Sequence, residues 1–125
     1  MTDRSQALTY SSYLALDDVL GAQRPKTDEH DELLFIVIHQ VYELWFKQLL
    51  HELAEVQRTL EAGDTDRSLH LLNRILKILK TLVAQIDVLE TMTPLQFTSG
   101  SGVRSGMMAT VAAMSTSPSW MRLAV

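Results

Sequence analysis

A single histidine interrupts the most apolar stretch of the chain, LLFIVIHQVYELWFKQLL at residues 33–50. If this stretch is helical, Phe35, His39, Tyr42 and Phe46 share one face, because they are four, three and four residues apart. An imidazole among aromatic rings can make one directed hydrogen bond to an aromatic ligand. Alternatively, His39 bonds a carbonyl or carboxylate inside a helical core, where aromatic stripes usually belong. Periodicity alone favours the core but leaves both interpretations open.

The other histidines do not predict a metal site. A di-metal site in a helical bundle needs Glu-x-x-His pairs on facing helices, whereas His70 is preceded at that spacing by Arg67. His30 lies in a charged segment, and His51 lies where the sequence becomes polar. The chain has no cysteine, which excludes disulfides and thiolate ligands. It also lacks a glycine-rich phosphate loop and a recognisable Ser-His-Asp arrangement.

Length and composition indicate one soluble globular domain. The chain has 125 residues, of which 46% are hydrophobic and 21% charged. A net charge of -4 provides no attraction for nucleic acid or for an anionic membrane. No stretch reaches the roughly 18 uninterrupted apolar residues of a membrane span, and the N-terminus has no apolar signal region. We therefore expect a cytoplasmic protein with neither nucleic acid nor membrane as a partner.

The chain divides into two compositions near residue 97. All 15 acidic residues lie within residues 1–97, whereas residues 98–125 contain two arginines among mainly Ser, Thr, Gly, Ala and Met. The second segment shows no sustained helical or alternating pattern, which is typical of a loop or a disordered end. We predict a helical domain over residues 1–97 and an irregular tail over residues 98–125.

The first 97 residues predict an all-α fold with a short N-terminal helix. Apolar positions recur at helical spacing, and no segment alternates as a strand does. Thr9 is a suitable N-cap for a helix that continues to about Leu20, and Gly21 marks its end.

Two long antiparallel helices are predicted to follow. Thr27 or Asp28 can cap a helix that runs to about Ala62, and Gly63 ends it as a C-cap glycine. Because the connection is short, the next helix should lie alongside it in a helical bundle. That helix carries an apolar seam for an antiparallel partner, formed by Leu69, Leu72, Ile75, Leu76, Leu79, Leu82, Val83, Ile86 and Leu89.

Three segments of the sequence resemble the N-terminal part of tryptophan 2,3-dioxygenase in order and spacing. They are LTYSSYLALDDVLGAQRP, HDELLFIVIHQVYELWFKQLLHEL and VLETMTPLQF, and the resemblance runs from about Leu8 to Phe97. Members of this family are all-helical haem enzymes that assemble as tetramers. They insert both atoms of O₂ into the indole C2–C3 bond of L-tryptophan and form N-formylkynurenine, the first step of the kynurenine pathway. The resemblance implies haem b, L-tryptophan, O₂ and a homo-oligomer.

The resemblance also implies roles for individual residues. It places the FIVIH segment in the substrate pocket, as well as Phe97. Phe35 would pack on the indole ring, and His39 would bond the indole N–H on the distal side of the haem as the catalytic histidine. The pocket residues of this segment are Phe35, Ile36, Val37, Ile38 and His39. The N-terminal helix of the family reaches a neighbouring subunit, so Tyr10, Tyr13 and Leu14 would line that subunit's pocket.

The chain departs from the family pattern after Phe97. The family has a carboxylate-binding arginine four residues later, where this sequence has Ser101, and Arg104 is out of register. The family's proximal haem histidine comes far downstream and has no counterpart in this sequence. We therefore expect a truncated chain with little or no activity on its own. A frameshift near codon 98 would account for the departure, and the gene's alternative frame should then encode SGFQS…FR.

Two other functions remain open. A non-catalytic helical module could associate through the apolar surface of its long helices. A small bundle that retains Phe35 and His39 could bind an indole weakly without oxidising it, because its carboxylate would lack an arginine partner.

Overall fold

The structure is a computed structural model that describes residues 8–92, and within this range it contains helices and turns but no strand. The helices are α1 (Tyr10–Tyr13), α2 (Leu16–Leu20), α3 (His30–Glu61) and α4 (Thr65–Leu89). The all-α class and the pair of long antiparallel helices are confirmed. The predicted tail lies outside the described residues, as does Phe97.

The predicted N-terminal helix is in fact two short helices. Thr9 caps α1 as expected: its hydroxyl accepts a hydrogen bond from the Ser12 N–H at 3.1 Å, and the Ser12 hydroxyl accepts one from the Thr9 N–H at 3.0 Å. The helix then breaks because Ala15 adopts a left-handed conformation with φ 50°. Neither short helix buries a residue, so no packing holds this segment in one longer helix.

The predicted caps of α3 are wrong, because Thr27 has a different partner. The helix begins at His30, and its N-cap Glu29 makes no side-chain cap. The Glu32 carboxylate instead accepts hydrogen bonds from the backbone N–H groups of Lys26 and Thr27, both at 2.7 Å, and from the Thr27 hydroxyl at 2.5 Å. The carboxylate thus fixes the connection between the N-terminal segment and α3.

A tight turn at Gly63 reverses the chain between α3 and α4, as predicted. Gly63 has φ 75°, a conformation that favours glycine at a helix end. Asp64 then caps α4 by accepting a hydrogen bond from the Arg67 N–H at 3.1 Å. Next to the turn, the hydroxyls of Thr59 and Ser68 are bonded at 2.7 Å and fully buried. The core between the helices consists of Leu49, Val56, Leu71, Ile75, Ile78 and Leu82.

The predicted seam of α4 separates into two stripes with different environments. Ile75 and Leu82 pack on α3 together with Leu71 and Ile78, while Leu89 is partly buried. The remaining six residues form an exposed stripe, called here the leucine face: Leu69, Leu72, Leu76, Leu79, Val83 and Ile86. Neighbouring residues on a helix point about 100° apart, so the two stripes cannot both face α3.

The two sides of the α3–α4 hairpin differ in polarity. In an antiparallel pair of right-handed helices, residues that directly follow a core position point to the same side on both helices. Each leucine-face residue follows a position directed toward α3, and His39 likewise follows the buried Ile38. Glu55 and Arg67 directly precede the buried positions Val56 and Ser68, and they form an ion pair at 3.3 Å on the opposite side. His39 and the leucine face therefore share one side of the hairpin.

The Glu32 carboxylate should release the N-terminal segment when it loses its charge. The Thr27 hydroxyl, followed by the Lys26 N–H, lowers the pKa of Glu32 below its ordinary value of 4.5. A lowered folded-state pKa stabilises this connection fully above pH 4.5 and progressively less as the pH falls through the folded-state pKa. We expect Glu32→Gln, or acidification below that range, to increase hydrogen exchange at the amides of Lys26 and Thr27. The control is Glu61→Gln at the far end of α3, and unchanged protection in Glu32→Gln would contradict the prediction.

Candidate functional site

The imidazole of His39 is held by its own helix. Its Nδ1 lies 2.6 Å from the carbonyl oxygen of Phe35, one turn earlier. Because a carbonyl oxygen only accepts, Nδ1 carries the proton and donates this bond. In the neutral ring Nε2 is then an acceptor. The hydrogen bond that holds the ring among the described residues uses Nδ1 and leaves Nε2 out. The helix therefore presents an oriented acceptor that is only partly buried.

Phe35 provides an aromatic surface beside this acceptor. Its ring is buried, and its centroid lies 4.1 Å from that of His39 with the planes tilted by 39°. Burial holds the Phe35 ring in place, while His39 remains partly accessible. This pair can place an aromatic ring and a hydrogen-bond acceptor next to each other.

The rest of the predicted aromatic face belongs to the core. The hydroxyl of Tyr42 donates a hydrogen bond to the Leu82 carbonyl oxygen at 2.8 Å, and its ring stacks on Phe46 with centroids 6.1 Å apart. Both rings pack against the buried cluster between α3 and α4. The core alternative thus describes Tyr42 and Phe46. Phe35 is itself buried, and His39 beside it remains partly accessible, so this pair is the remaining candidate for a site.

The other residues of FIVIH point in different directions. Ile38 is buried between the helices, Ile36 is partly buried, and Val37 is exposed on the opposite side from His39. This follows from helical geometry, since adjacent residues cannot share a face. Of the five residues, the structure brings only Phe35 and His39 together.

Residues predicted to act in a neighbouring subunit are exposed in the single chain. The side chains of Tyr10 and Tyr13 are 76% and 71% exposed, and Leu14 is also exposed. The N-terminal segment meets α3 through polar contacts, in which Gln40 donates to the Ala22 carbonyl and accepts from Gln23. The two tyrosines are therefore available to another molecule, and their role in trans stays a prediction.

Two acidic residues of α3, Glu52 and Glu55, were not predicted from the sequence to pair with arginines. Glu52 is only 4% exposed, and its carboxylate accepts hydrogen bonds from Gln48 at 2.8 Å and from Arg74 of α4 at 3.1 Å. One turn on, Arg58 and then Arg67 lower the pKa of Glu55 to about 2. The sequence signal that could have predicted these ion pairs is the presence of acidic residues on α3 opposite arginines on α4. These contacts align the helices and do not approach His39.

The described residues do not provide a haem ligand of the expected kind. A haem iron held by histidine needs an accessible ring whose other nitrogen is oriented by a partner. His30, His51 and His70 are exposed, and a nitrogen of His70 lies 3.5 Å from Arg74, a cationic neighbour. Among residues 8–92, no three His, Cys, Asp or Glu side chains are grouped as a metal site would require. The described residues therefore do not supply an axial ligand of this kind.

Known proteins match nearly the whole of the helical region. A family model described as tryptophan 2,3-dioxygenase matches residues 1–107. The tryptophan 2,3-dioxygenase of Anaeromyxobacter sp. (strain K) is 64% identical over 101 residues, covering 78% of this chain and 38% of the relative. That of Herpetosiphon aurantiacus is 63% identical over 100 residues, with the same two shares.

The chain belongs to the tryptophan 2,3-dioxygenase family. A more distant member from Caulobacter vibrioides is 46% identical over 105 residues, covering 82% of this chain and 40% of its own length. The chain thus spans about two fifths of the length of the curated tryptophan 2,3-dioxygenases that it matches. The match of the family model includes all four described helices.

One helix of this tryptophan 2,3-dioxygenase family member has the length and composition of a membrane span. Within residues 8–92, α3 reaches a mean hydropathy of 1.2 over an 18-residue window. A single helix of this kind is weak evidence for a membrane location, because a core helix of a soluble protein has the same properties.

Proposed function

We propose that this chain forms the distal wall of a tryptophan 2,3-dioxygenase site, in which His39 and Phe35 orient the indole of L-tryptophan. The observation that supports this proposal is the Nδ1 bond of His39, which leaves Nε2 as an acceptor beside an aromatic ring. Indole N–H is a donor on a flat apolar ring and matches both features. Haem b would supply the O₂ chemistry that forms N-formylkynurenine in the complete site.

The protein's own contribution is to position the substrate. An acceptor without charge can bind the indole N–H while the surrounding apolar residues exclude water. Phe35 restricts the ring plane, since its own ring is fixed by burial. In a homo-oligomer, a tetramer by family resemblance, Tyr10, Tyr13 and Leu14 would close the pocket from a neighbouring subunit. Phe97 would also contribute to the pocket by family resemblance, and we place this chemistry in the cytoplasm.

A chimera tests this proposal directly. Residues 1–97 would be joined to the remaining part of the Anaeromyxobacter relative, whose N-terminal part is 64% identical to this chain. We expect the chimera to oxidise tryptophan. His39→Leu should reduce its kcat/KM about tenfold, the value of one hydrogen bond made in the transition state. His51→Leu is the matched control on the same helix, and a His39→Leu chimera with undiminished kcat/KM would contradict the assignment.

Two further functions follow from specific observations. Weak indole binding without oxidation is favoured by the Phe35–His39 pair, which needs no iron to accept an N–H. Association with another protein chain is favoured by the exposed apolar residues of α4. Isothermal titration of the purified chain with indole tests the first, and His39→Leu should abolish any heat of binding.

A further inference from the structure

A segment between α2 and α3 is tied to the helix that carries His39. We call it the strap and define it as residues 21–27. The side chain of Gln40 holds one end of the strap with both of its polar atoms. Its Nε2 donates a hydrogen bond to the Ala22 carbonyl oxygen at 3.2 Å, and its Oε1 accepts one from Nε2 of Gln23 at 2.8 Å. Gln40 therefore fixes this end of the strap to α3.

The other end of the strap is held by Glu32, which accepts hydrogen bonds from the backbone N–H groups of Lys26 and Thr27. Glu32 and Gln40 are eight residues apart in the sequence, which corresponds to about 12 Å along the helix axis. The strap bonds Gln40 with its first residues and Glu32 with its last ones, so it runs antiparallel to α3. Because α1 and α2 bury no residue, these polar contacts supply much of what positions the strap.

The strap lies beside the strip of α3 that carries Phe35 and His39. Glu32, Ile36 and Gln40 are four residues apart and share one strip of the helix. Each member of the pair directly precedes a member of this strip, so the pair occupies the adjacent one. The core shared with α4 lies on the other flank, because His39 itself follows a buried core position. The pair therefore lies in a groove, with α4 on one side and the strap on the other.

We propose that Gln40 is a positioning residue for the indole site, and that the strap it holds limits the size of the ring that fits beside His39. This inference rests on the proposed function, which makes an indole the occupant of the groove. A ring substituent directed at the strap would meet backbone that two polar anchors keep in place. Replacing Gln40 by leucine keeps a side chain of similar size but removes both hydrogen bonds, so the strap is free to move away and admit a larger ring.

Tryptophans that carry a methyl group on the six-membered ring test this role in the chimera of residues 1–97 with the Anaeromyxobacter relative. We expect Gln40→Leu to raise KM for tryptophan about threefold with little change in kcat, because a loosened wall weakens substrate and transition state alike. Its selectivity for tryptophan over the methylated analogues should fall about fivefold, the value of roughly one hydrogen bond. The matched control is Gln57→Leu, since Gln57 lies on the same helix and bonds the exposed side chain of Glu61 at 3.0 Å.

A second variant and a second measurement make the test independent of how well one chimera folds. Glu32→Gln weakens the opposite anchor of the strap and should relax selectivity in the same direction. In the purified chain, Gln40→Leu should increase hydrogen exchange over residues 21–27, whereas Gln57→Leu should leave it unchanged. The exchange experiment reports on the strap without requiring haem or turnover.

The outcomes separate this inference from the proposed function. If His39→Leu lowers kcat/KM but Gln40→Leu and Gln57→Leu show equal selectivity, the strap does not border the indole and this inference is overturned. Unchanged exchange over residues 21–27 in Gln40→Leu would overturn the anchoring itself. Full kcat/KM in the His39→Leu chimera would overturn the proposed function, and with it the assignment of an indole to the groove.

Discussion

Haem added to the purified chain is expected to give no histidine-ligated spectrum, and tryptophan with O₂ no ring cleavage. A stable histidine-ligated haem needs an axial imidazole oriented by a partner, which the exposed His30, His51 and His70 do not provide. The family resemblance places a carboxylate-binding arginine where this sequence has Ser101, so we expect the substrate to lose its ionic partner as well. Optical titration of the chain with haem, followed by reduction and addition of tryptophan and O₂, measures both effects.

The controls for this experiment separate specific from adventitious haem binding. The full-length Anaeromyxobacter relative should give the ligated spectrum and form product under the same conditions. Apolar helices can bind haem without an axial ligand, and such binding should not change in His51→Leu or His70→Leu. Turnover by the purified chain, or a ligated spectrum that one of these variants removes, would show that a described histidine serves as the ligand.

Leu71→Ala is expected to remove a large part of the chain's free energy of unfolding. Leu71 is 3% exposed in the core between α3 and α4, and truncating a leucine in such a core costs about 2–5 kcal/mol. The total free energy of unfolding of a small domain is of similar size, roughly 5 kcal/mol at the lower end. The hairpin has only one core cluster of buried residues in its described part, so little else can compensate.

Urea denaturation followed by circular dichroism measures this loss. The control is Leu44→Ala, which makes the same chemical change at an exposed position and should alter the free energy of unfolding by less than about 0.5 kcal/mol. Protein concentration must be held constant, because dimerisation would raise the apparent stability. Similar destabilisation by the two variants would show that Leu71 is not part of a tightly packed core.

The sequence predicted the hairpin well because its determinants are local. Gly63 provides a left-handed residue, Asp64 provides a cap, and long apolar repeats on both sides provide the helices. The errors occurred where another side chain took the expected capping group, or where no packing supported the local preference. Thr27 is a good cap by type, but the Glu32 carboxylate takes its hydroxyl. Ala15 favours a helix by type, yet the exposed segment around it has no packing to keep one helix intact.

The candidate site was predicted in part. The spacing of Phe35 and His39 placed them on one face, and the described geometry keeps them together. The same spacing included Tyr42 and Phe46, which the core uses instead. Spacing along a helix gives the direction of each side chain but does not say which direction a neighbouring helix occupies.

The amino-acid sequence by itself determined the all-α class, the α3–α4 hairpin and the membership of the tryptophan 2,3-dioxygenase family. These depend on apolar periodicity, on turn residues and on the order of short motifs, all of which are readable along the chain. Only the tertiary structure decided which leucines of α4 are core and which form the leucine face. It also decided that Nδ1 of His39 donates to Phe35 and leaves Nε2 free to accept. Both depend on where side chains lie in space, because burial and hydrogen bonding are set by the packed neighbours of a residue.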